Sequence, residues 1–210
     1  MRLLRKVSEL SHNVRSRLAL LATTLAFLSA QPSFAIDNRQ TDTEMLPIGA
    51  VTSAPDGASN VCNVYVWACA QSGRTLKIGE LQLRELRKVN TRINQSVRSV
   101  SDLQQYGIAE RWTLPTKGKG DCEDYALYKK YELTCAGFPA EQLLIATLLD
   151  LNRASHAVLV VRTGANDLVL DNLTNKIVPW HKTGYTFLRM QDPRKPKRWV
   201  SVMAGGIFLR

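Results

Sequence analysis

The segment from Asp121 to Pro139 carries the start and stop signals of a single helix. Asp121 is a candidate N-cap, acidic residues fill the first turn, and Gly137 and Pro139 follow the end. With 3.6 residues per turn, an arc of about 100° collects one apolar face. Its members are Cys122, Tyr125, Ala126 and Leu133. The sequence therefore predicts a helix that begins at a cysteine and packs against a core.

Strand patterns follow this helix. The runs HAVLVVR (156–162) and DLVLDNL (167–173) are joined by turn residues, which predicts an antiparallel hairpin, and a second hairpin is predicted from 185–190 and 198–203. Upstream, an amphipathic helix is predicted within 77–100 from apolar residues at helical spacing, namely Leu86, Val89, Ile93 and Val97. This order of elements indicates an α+β fold, with the helix that begins at Cys122 packed on an antiparallel sheet.

The first 35 residues have the composition of a secretory signal. Five basic residues and one acidic residue precede the uncharged 13-residue run 18–30, and a small-x-small triplet ends at Ala35. An uncleaved anchor and a buried core helix are weaker alternatives, because a spanning helix needs about 20 apolar residues. We expect cleavage near Ala35 and a periplasmic mature protein that has no stable membrane insertion.

The rest of the chain is long enough for one domain. Residues 36–75 predict an N-terminal arm and residues 76–210 the main folded domain. The formal net charge is +10, of which the first 35 residues contribute +4, so a mildly basic body remains. The basic run 194–198 has no aromatic or motif context, which indicates a solvated turn and no nucleic-acid partner.

Export to an oxidising compartment would allow the four cysteines to form structural disulfides. Cys62 and Cys69 bracket a short segment beside polar loop residues, and a local disulfide between them is the favoured pairing. Cys122 and Cys135 are separated by about 20 Å along one predicted helix and cannot pair with each other.

Two histidines remain after the predicted signal, and His156 is the better candidate base because it begins the first hairpin, whereas His181 does not. In an antiparallel pair, the numbers of directly opposite residues add to a constant sum. Two side chains on the paired strands share a face when their own sum and this constant are both odd or both even. The sum for His156 and Asp171 is 327, and a turn centred on residues 164 and 165 gives 329. Both sums are odd, so a hydrogen bond between the imidazole and the carboxylate is predicted.

The start of the helix sets competing influences on the Cys122 thiol. The helix dipole favours thiolate, whereas the adjacent carboxylates of Asp121, Glu123 and Asp124 raise the pKa of the thiol. A divalent cation would offset this charge, and hard oxygen ligands suit Ca²⁺. Each feature alone has an ordinary explanation, such as a buried cysteine or compensation of the helix dipole. The order Cys, His, Asp is typical of papain-like and transglutaminase-like acyl-transfer sites.

Three specific stretches lie between about Leu76 and Val202, namely GDCEDYA at 120–126, HAVL at 156–159 and LDN at 170–172. With these stretches the chain resembles the bacterial transglutaminase-like cysteine peptidases, whose best-understood branch is the LapG-type periplasmic adhesin protease. The resemblance implies a papain-like core, a catalytic triad, a calcium site on the acidic residues beside the nucleophile and a cysteine pair in the N-terminal arm. The triad positions are Cys122, His156 and Asp171; the calcium positions are Asp121 and Glu123, with Asp124 as a further ligand.

The same resemblance implies a substrate and a regulator. LapG-type proteases remove the N-terminal retention module of a large surface adhesin at a site with paired alanines, and an inner-membrane receptor that binds cyclic di-GMP inhibits them. Cys135 departs from the pattern and is interpreted as a buried free thiol. Two alternatives stay open, which are acyl transfer to an amine, as in transglutaminases, and a non-catalytic binding module that uses its basic surface.

Overall fold

A seven-stranded antiparallel sheet is the central element of the computed structural model, which describes residues 45–208. The signal predicted for residues 1–35 and the start of the predicted arm lie outside these residues. The strands are β1 (Val51–Thr52), β2 (Arg98–Ser99), β3 (Lys119–Gly120), β4 (Leu143–Leu149), β5 (Ser155–Arg162), β6 (Asp167–Leu170), β7 (Val178–Pro179), β8 (Thr186–Asp192) and β9 (Lys195–Ala204). Seven of them form the sheet in the order β1-β9-β8-β4-β5-β6-β7, and β2 pairs with β3 in parallel.

The helices are α1 (Val61–Val64), α2 (Glu80–Ser96), α3 (Asp102–Tyr106) and α4 (Cys122–Cys135), with 3₁₀ helices at Ala58–Asn60, Val66–Cys69, Ala140–Gln142, Trp180–Lys182 and Gly206–Phe208. The two longest, α2 and α4, pack on one face of the sheet. The predicted α+β class and both predicted long helices are confirmed. No helix among residues 45–208 is long and apolar enough to cross a membrane.

Alternation along the strands divides the core into two layers. Leu143 and Ile145 of β4 point to the layer that contains α2 and α4, whereas Leu144 and Ala146 point to the opposite layer, which contains Phe187. The four apolar residues predicted for the buried face of α2 are all buried, namely Leu86, Val89, Ile93 and Val97. Two buried layers on a single sheet fix the strand register, because a slip by one residue would exchange them.

Both predicted hairpins are present. Leu159 pairs with Leu170, and these residue numbers add to 329, the register that the sequence predicts. The second hairpin pairs β8 with β9 and turns more tightly than predicted, because the strands extend to Asp192 and Lys195. In this turn the buried carboxylate of Asp192 binds Arg194 and Arg198, which compensates part of the basic run.

The end of α4 follows its predicted punctuation. Gly137 has a φ of 91°, and the N–H of Phe138 donates to the carbonyl of Leu133 at 3.0 Å, which is the reverse turn that commonly ends a helix. The thiol of Cys135 is exposed, so its interpretation as a buried thiol is wrong. Cys135 lies two residues after the fully buried Leu133 and therefore about 200° around the helix from it.

Candidate active site

Cys122 is the first residue of α4. Just before it, the backbone of Gly120 passes close to the side chain of Asp124. A Cβ atom on Gly120 would lie 2.6 Å from Oδ2 of Asp124, so this position requires glycine. Asp121 occupies the predicted N-cap position, but its side chain makes no capping hydrogen bond. Instead, its Oδ2 accepts from the N–H of Asp102 at 2.9 Å. The predicted N-cap position is therefore confirmed, but the carboxylate of Asp121 binds the first residue of α3 instead of capping α4.

The structure brings His156 and Asp171 into direct contact. His156 is the second residue of β5, Asp171 directly follows β6, and Nε2 of the imidazole lies 2.9 Å from Oδ1 of the carboxylate. Both side chains are buried. Because Nε2 is engaged with the carboxylate, Nδ1 is the ring nitrogen left for a second partner.

Tyr185 is a member of this cluster that the sequence analysis does not identify. Its hydroxyl donates to Oδ2 of Asp171 at 2.7 Å, and its ring lies edge-on to His156 with a centroid distance of 6.1 Å. The N–H of Leu173 donates to Oδ1 of Asp171 at 2.9 Å. Burial raises the pKa of Asp171, but the hydrogen bonds from His156, Leu173 and Tyr185 outweigh it, so that the pKa is lowered and the carboxylate stays ionised.

Cys122 and His156 line one cleft of about 260 Å³. The buried indole of Trp112 also lines it and packs edge-on against Trp199 at 5.8 Å, so this tryptophan both packs and shapes the cleft. His181 is exposed in a 3₁₀ helix and does not line the cleft. A residue that can act as a nucleophile and a residue that can act as a base thus line the same small cavity.

The surroundings of the Cys122 thiol oppose its ionisation. Burial raises the pKa of this thiol, and Glu123 raises it further, since Sγ lies 3.3 Å from Oε2 of Glu123. The N–H of Ala157 acts in the opposite direction. Without a compensating positive charge, the thiol form is favoured.

Three carboxylates converge beside the thiol. Asp102, Asp121 and Glu123 each offer an oxygen, and these oxygens all lie within 4.8 Å of one another. Burial, followed by repulsion from Asp121, raises the pKa of Asp102 and raises that of Glu123 to about 9. Of the three predicted ligands, Asp121 and Glu123 are in this cluster, and Asp102 is a member that the sequence analysis does not identify.

Asp124, the third predicted ligand, lies outside this cluster. Its Oδ1 accepts from the N–H of Thr113 at 2.9 Å, and burial raises its pKa to about 8. The side chain therefore binds the loop that precedes α4 on the Trp112 side.

The three clustered carboxylates fit a divalent cation of the calcium type. One buried oxygen of each side chain has no hydrogen-bond partner, namely Oδ1 of Asp102, Oδ1 of Asp121 and Oε1 of Glu123. Buried polar atoms are nearly always satisfied, so three unsatisfied oxygens in one place are well explained by an ion. Hard carboxylate oxygens are the ligands that Ca²⁺ prefers.

A disulfide joins Cys62 to Cys69. Within the loop that it closes, the hydroxyl of Tyr65 lies 3.0 Å from Oγ1 of Thr113 and accepts from the N–H of Leu114. The loop thereby braces the segment that carries Trp112.

Comparisons with known proteins show the family of this chain. Residues 48–206 match the model of a family described as bacterial transglutaminase-like cysteine proteinases. A comparison with curated proteins finds no match. A calcium-bound structure of LapG from Legionella pneumophila superimposes with a TM-score of 0.51 and 25% identity, over 62% of this chain and 74% of that one. An EGTA-treated structure of that protein gives a TM-score of 0.45 and 27% identity, over 54% of this chain and 64% of that one.

Proposed function

The chain belongs to the bacterial transglutaminase-like cysteine proteinases, and from this premise we propose that Cys122, His156 and Asp171 are its catalytic triad. The observation that carries the proposal is the 2.9 Å contact between Nε2 of His156 and Asp171 at the edge of the cleft that Cys122 lines. Since this contact engages Nε2, the thiol is the proposed partner of Nδ1 of His156. The chain is a cysteine protease, and the proposal concerns how it works and on what.

In the proposed mechanism, Nδ1 of His156 takes the proton of the Cys122 thiol, and the thiolate attacks the carbonyl carbon of the scissile peptide. Asp171 stabilises the resulting imidazolium and fixes its orientation. The N–H of Cys122, at the first position of α4, has no intrahelical acceptor and donates to the developing oxyanion. His156 then protonates the leaving amine, and water hydrolyses the thioester.

We propose that Asp102, Asp121 and Glu123 hold Ca²⁺. When bound, the ion supplies positive charge beside a thiol whose neighbours are acidic. The three unsatisfied oxygens support this proposal, and the similar LapG structure is calcium-bound. Calcium dependence would follow from the chain's own charge distribution, since burial and Glu123 raise the pKa of Cys122.

The proposed substrate is the N-terminal region of a large surface adhesin, cut at a small-residue site such as paired alanines, so that the enzyme controls surface attachment. The cleft supports small side chains at the cut, because its volume of about 260 Å³ is below the range of most ligand pockets. Export through the signal at 1–35 to the periplasm, and inhibition by an inner-membrane receptor for cyclic di-GMP, complete the proposal.

The test is digestion of a purified adhesin N-terminal region by the full chain, with calcium and with EGTA, followed by mass measurement. Hydrolysis yields two fragments whose masses add to the substrate plus one water, and only with calcium. A product in which two chains are joined would indicate acyl transfer instead. Cys122→Ala should abolish cleavage while the unfolding transition is retained. A full cellular effect of Cys122→Ala would favour the binding-module alternative and refute the catalytic one.

A further inference from the structure

A second cavity, of about 400 Å³, is lined by Asp171 and Tyr185 among other residues. The two cavities share no lining residue, but the contact between His156 and Asp171 connects them. The volume of the second cavity falls within the range of small-molecule sites and exceeds that of the cleft. No step of the proposed hydrolysis uses this cavity.

The buried lining residues form its floor, and the exposed ones form its rim. The floor includes Val169, Asp171 and Tyr185. Leu151 and Leu173 stand at the rim with 71% and 61% exposure, which is high for large apolar side chains beside a cavity. The walls therefore favour an apolar body.

Charged side chains of both signs line the cavity. Lys176 and Lys182 are both exposed and both line the cavity. Within residues 45–208, neither lysine forms a salt bridge with a carboxylate. Asp150 also lines the cavity, but its Oδ1 accepts from the N–H groups of Asn152 and Ala154 in the turn between β4 and β5. Asp150 and Asp171 carry negative charge in the same lining, but both already accept hydrogen bonds from neighbouring groups. Lys176 and Lys182 are therefore the charged groups available to the anionic end of an amphipathic ligand.

The segments around the cavity are held in place. The side-chain amide of Asn94 donates to the carbonyl of Asp171 at 2.9 Å and to that of Thr174 at 3.1 Å, which fixes the loop on one side. On another side, a Cβ atom on Gly184 would lie 2.9 Å from a methyl carbon of Leu151, so these two segments already touch. The cavity is thus formed in the protein alone, which lowers the entropic cost of binding.

We propose that this cavity binds a small amphipathic anion, a molecule with an apolar body and one carboxylate, sulfonate or phosphate group. The body fills the space above Val169 and Tyr185, and the anionic group faces Lys176 and Lys182. An occupant would contact Asp171, Leu173 and Tyr185, which are the groups that orient His156, so the site adjoins the catalytic machinery without being part of the cleft.

The test uses 8-anilinonaphthalene-1-sulfonate as the probe and the full chain, with fluorescence titration as the readout. We expect one saturable site, and we expect the neutral analogue N-phenyl-1-naphthylamine to bind at least about tenfold more weakly. The double variant Lys176→Glu/Lys182→Glu should weaken the sulfonate by about tenfold, and Lys176→Arg/Lys182→Arg should retain it. Equal affinity for the neutral analogue, or unchanged affinity in the Glu variant, would overturn the proposal.

Two matched controls locate the site. Leu151→Asp should weaken the probe, whereas the same change at Leu81, which is 67% exposed and outside this cavity, should not. Lys195→Glu/Lys197→Glu makes the same charge change on the exposed β8–β9 hairpin and should leave the affinity unchanged. Equal losses in the controls would show non-specific attraction to a basic protein and would refute the assignment.

Discussion

The hydroxyl of Tyr185 donates a 2.7 Å hydrogen bond to Oδ2 of Asp171, the carboxylate oxygen that does not face His156. Both oxygens of Asp171 are therefore satisfied, and the carboxylate cannot rotate without losing a partner. The tyrosine acts on the imidazole through this carboxylate, which makes it a positioning residue.

Tyr185→Phe should lower kcat by about tenfold and leave KM nearly unchanged, because the lost hydrogen bond orients the base and does not contact the substrate. Steady-state kinetics on an adhesin fragment that contains the intact cleavage site measure both constants. Tyr125→Phe is the matched control, since Tyr125 is also buried and donates to the carbonyl of Val97. It should cost about 1 kcal/mol of stability and leave kcat unchanged. Equal losses of kcat in both variants would contradict the positioning role.

Asp102→Asn should abolish the stabilisation of the protein by calcium. Calcium at 100 times its Kd should add about 2.7 kcal/mol of stability to the native chain, and the variant should lose this gain. Asp124→Asn should keep it, because Asp124 lies outside the cluster and an amide oxygen can still accept from Thr113. Thermal unfolding with calcium and with EGTA measures the difference, and a normal calcium shift in Asp102→Asn would exclude Asp102 as a ligand.

Without calcium, Asp102→Asn should instead stabilise the fold. Burial and repulsion from Asp121 raise the pKa of Asp102, so its charge is unfavourable in the calcium-free protein near pH 7. Urea denaturation in EGTA should show a gain of about 1 kcal/mol. A loss of stability in EGTA would mean that the carboxylate of Asp102 contributes more to the fold than its repulsion costs.

Lys130→Met should stabilise the protein near pH 7 and flatten its pH dependence. Lys130 is fully buried, its Nζ donates to Oε1 of Gln191 at 2.7 Å, and burial lowers its pKa to about 7. An unfolded lysine keeps its proton to about pH 10.4. Between these two pH values the unfolded state binds more protons than the native state, so the free energy of unfolding rises with pH. The destabilisation caused by the buried lysine is therefore greatest below pH 7.

Urea denaturation at several pH values measures this difference. The gap between Lys130→Met and the native chain should be about 1–4 kcal/mol at pH 7 and should shrink towards pH 10. Lys88→Met, at a mostly exposed lysine, provides the control and should show no such trend. A difference in stability that stays constant across the pH range would contradict a lowered pKa for the buried Lys130.

Removing the disulfide with Cys62→Ser/Cys69→Ser should cost about 2–3 kcal/mol, the loop entropy expected for a separation of seven residues. Activity at a temperature well below the transition should also fall, because Tyr65 braces the segment that carries Trp112. Full activity with lower stability would show that the brace is not needed for the cleft.

Local patterns predicted the helix that starts at Cys122 and the pairing of His156 with Asp171, because helix caps and strand parity are short-range properties. Asp102 could not be found in this way. It reaches Asp121 because β2 and β3 pair in parallel, with Ser99 opposite Gly120, and two-residue strands leave no pattern in a sequence. Tyr185 reaches Asp171 through tertiary packing of a separate segment.

Charge patterns were the least informative about burial. Lys129 and Lys130 are consecutive lysines in a helix, a pattern typical of a solvated face, yet both are buried because α4 is covered on more than one side. Asp124 is next to Glu123 in sequence, yet its carboxylate accepts from the N–H of Thr113 and is not one of the three clustered carboxylates.

Within residues 45–208, the two edges of the main sheet are β1 and β7, and each is two residues long. One of them ends in Pro179, which has no N–H to donate. The edge strands themselves offer few backbone groups for a further strand, so we expect a polypeptide to gain little by strand addition at β1 or β7. We therefore expect recognition of a protein substrate to depend on contacts in the cleft around the scissile bond.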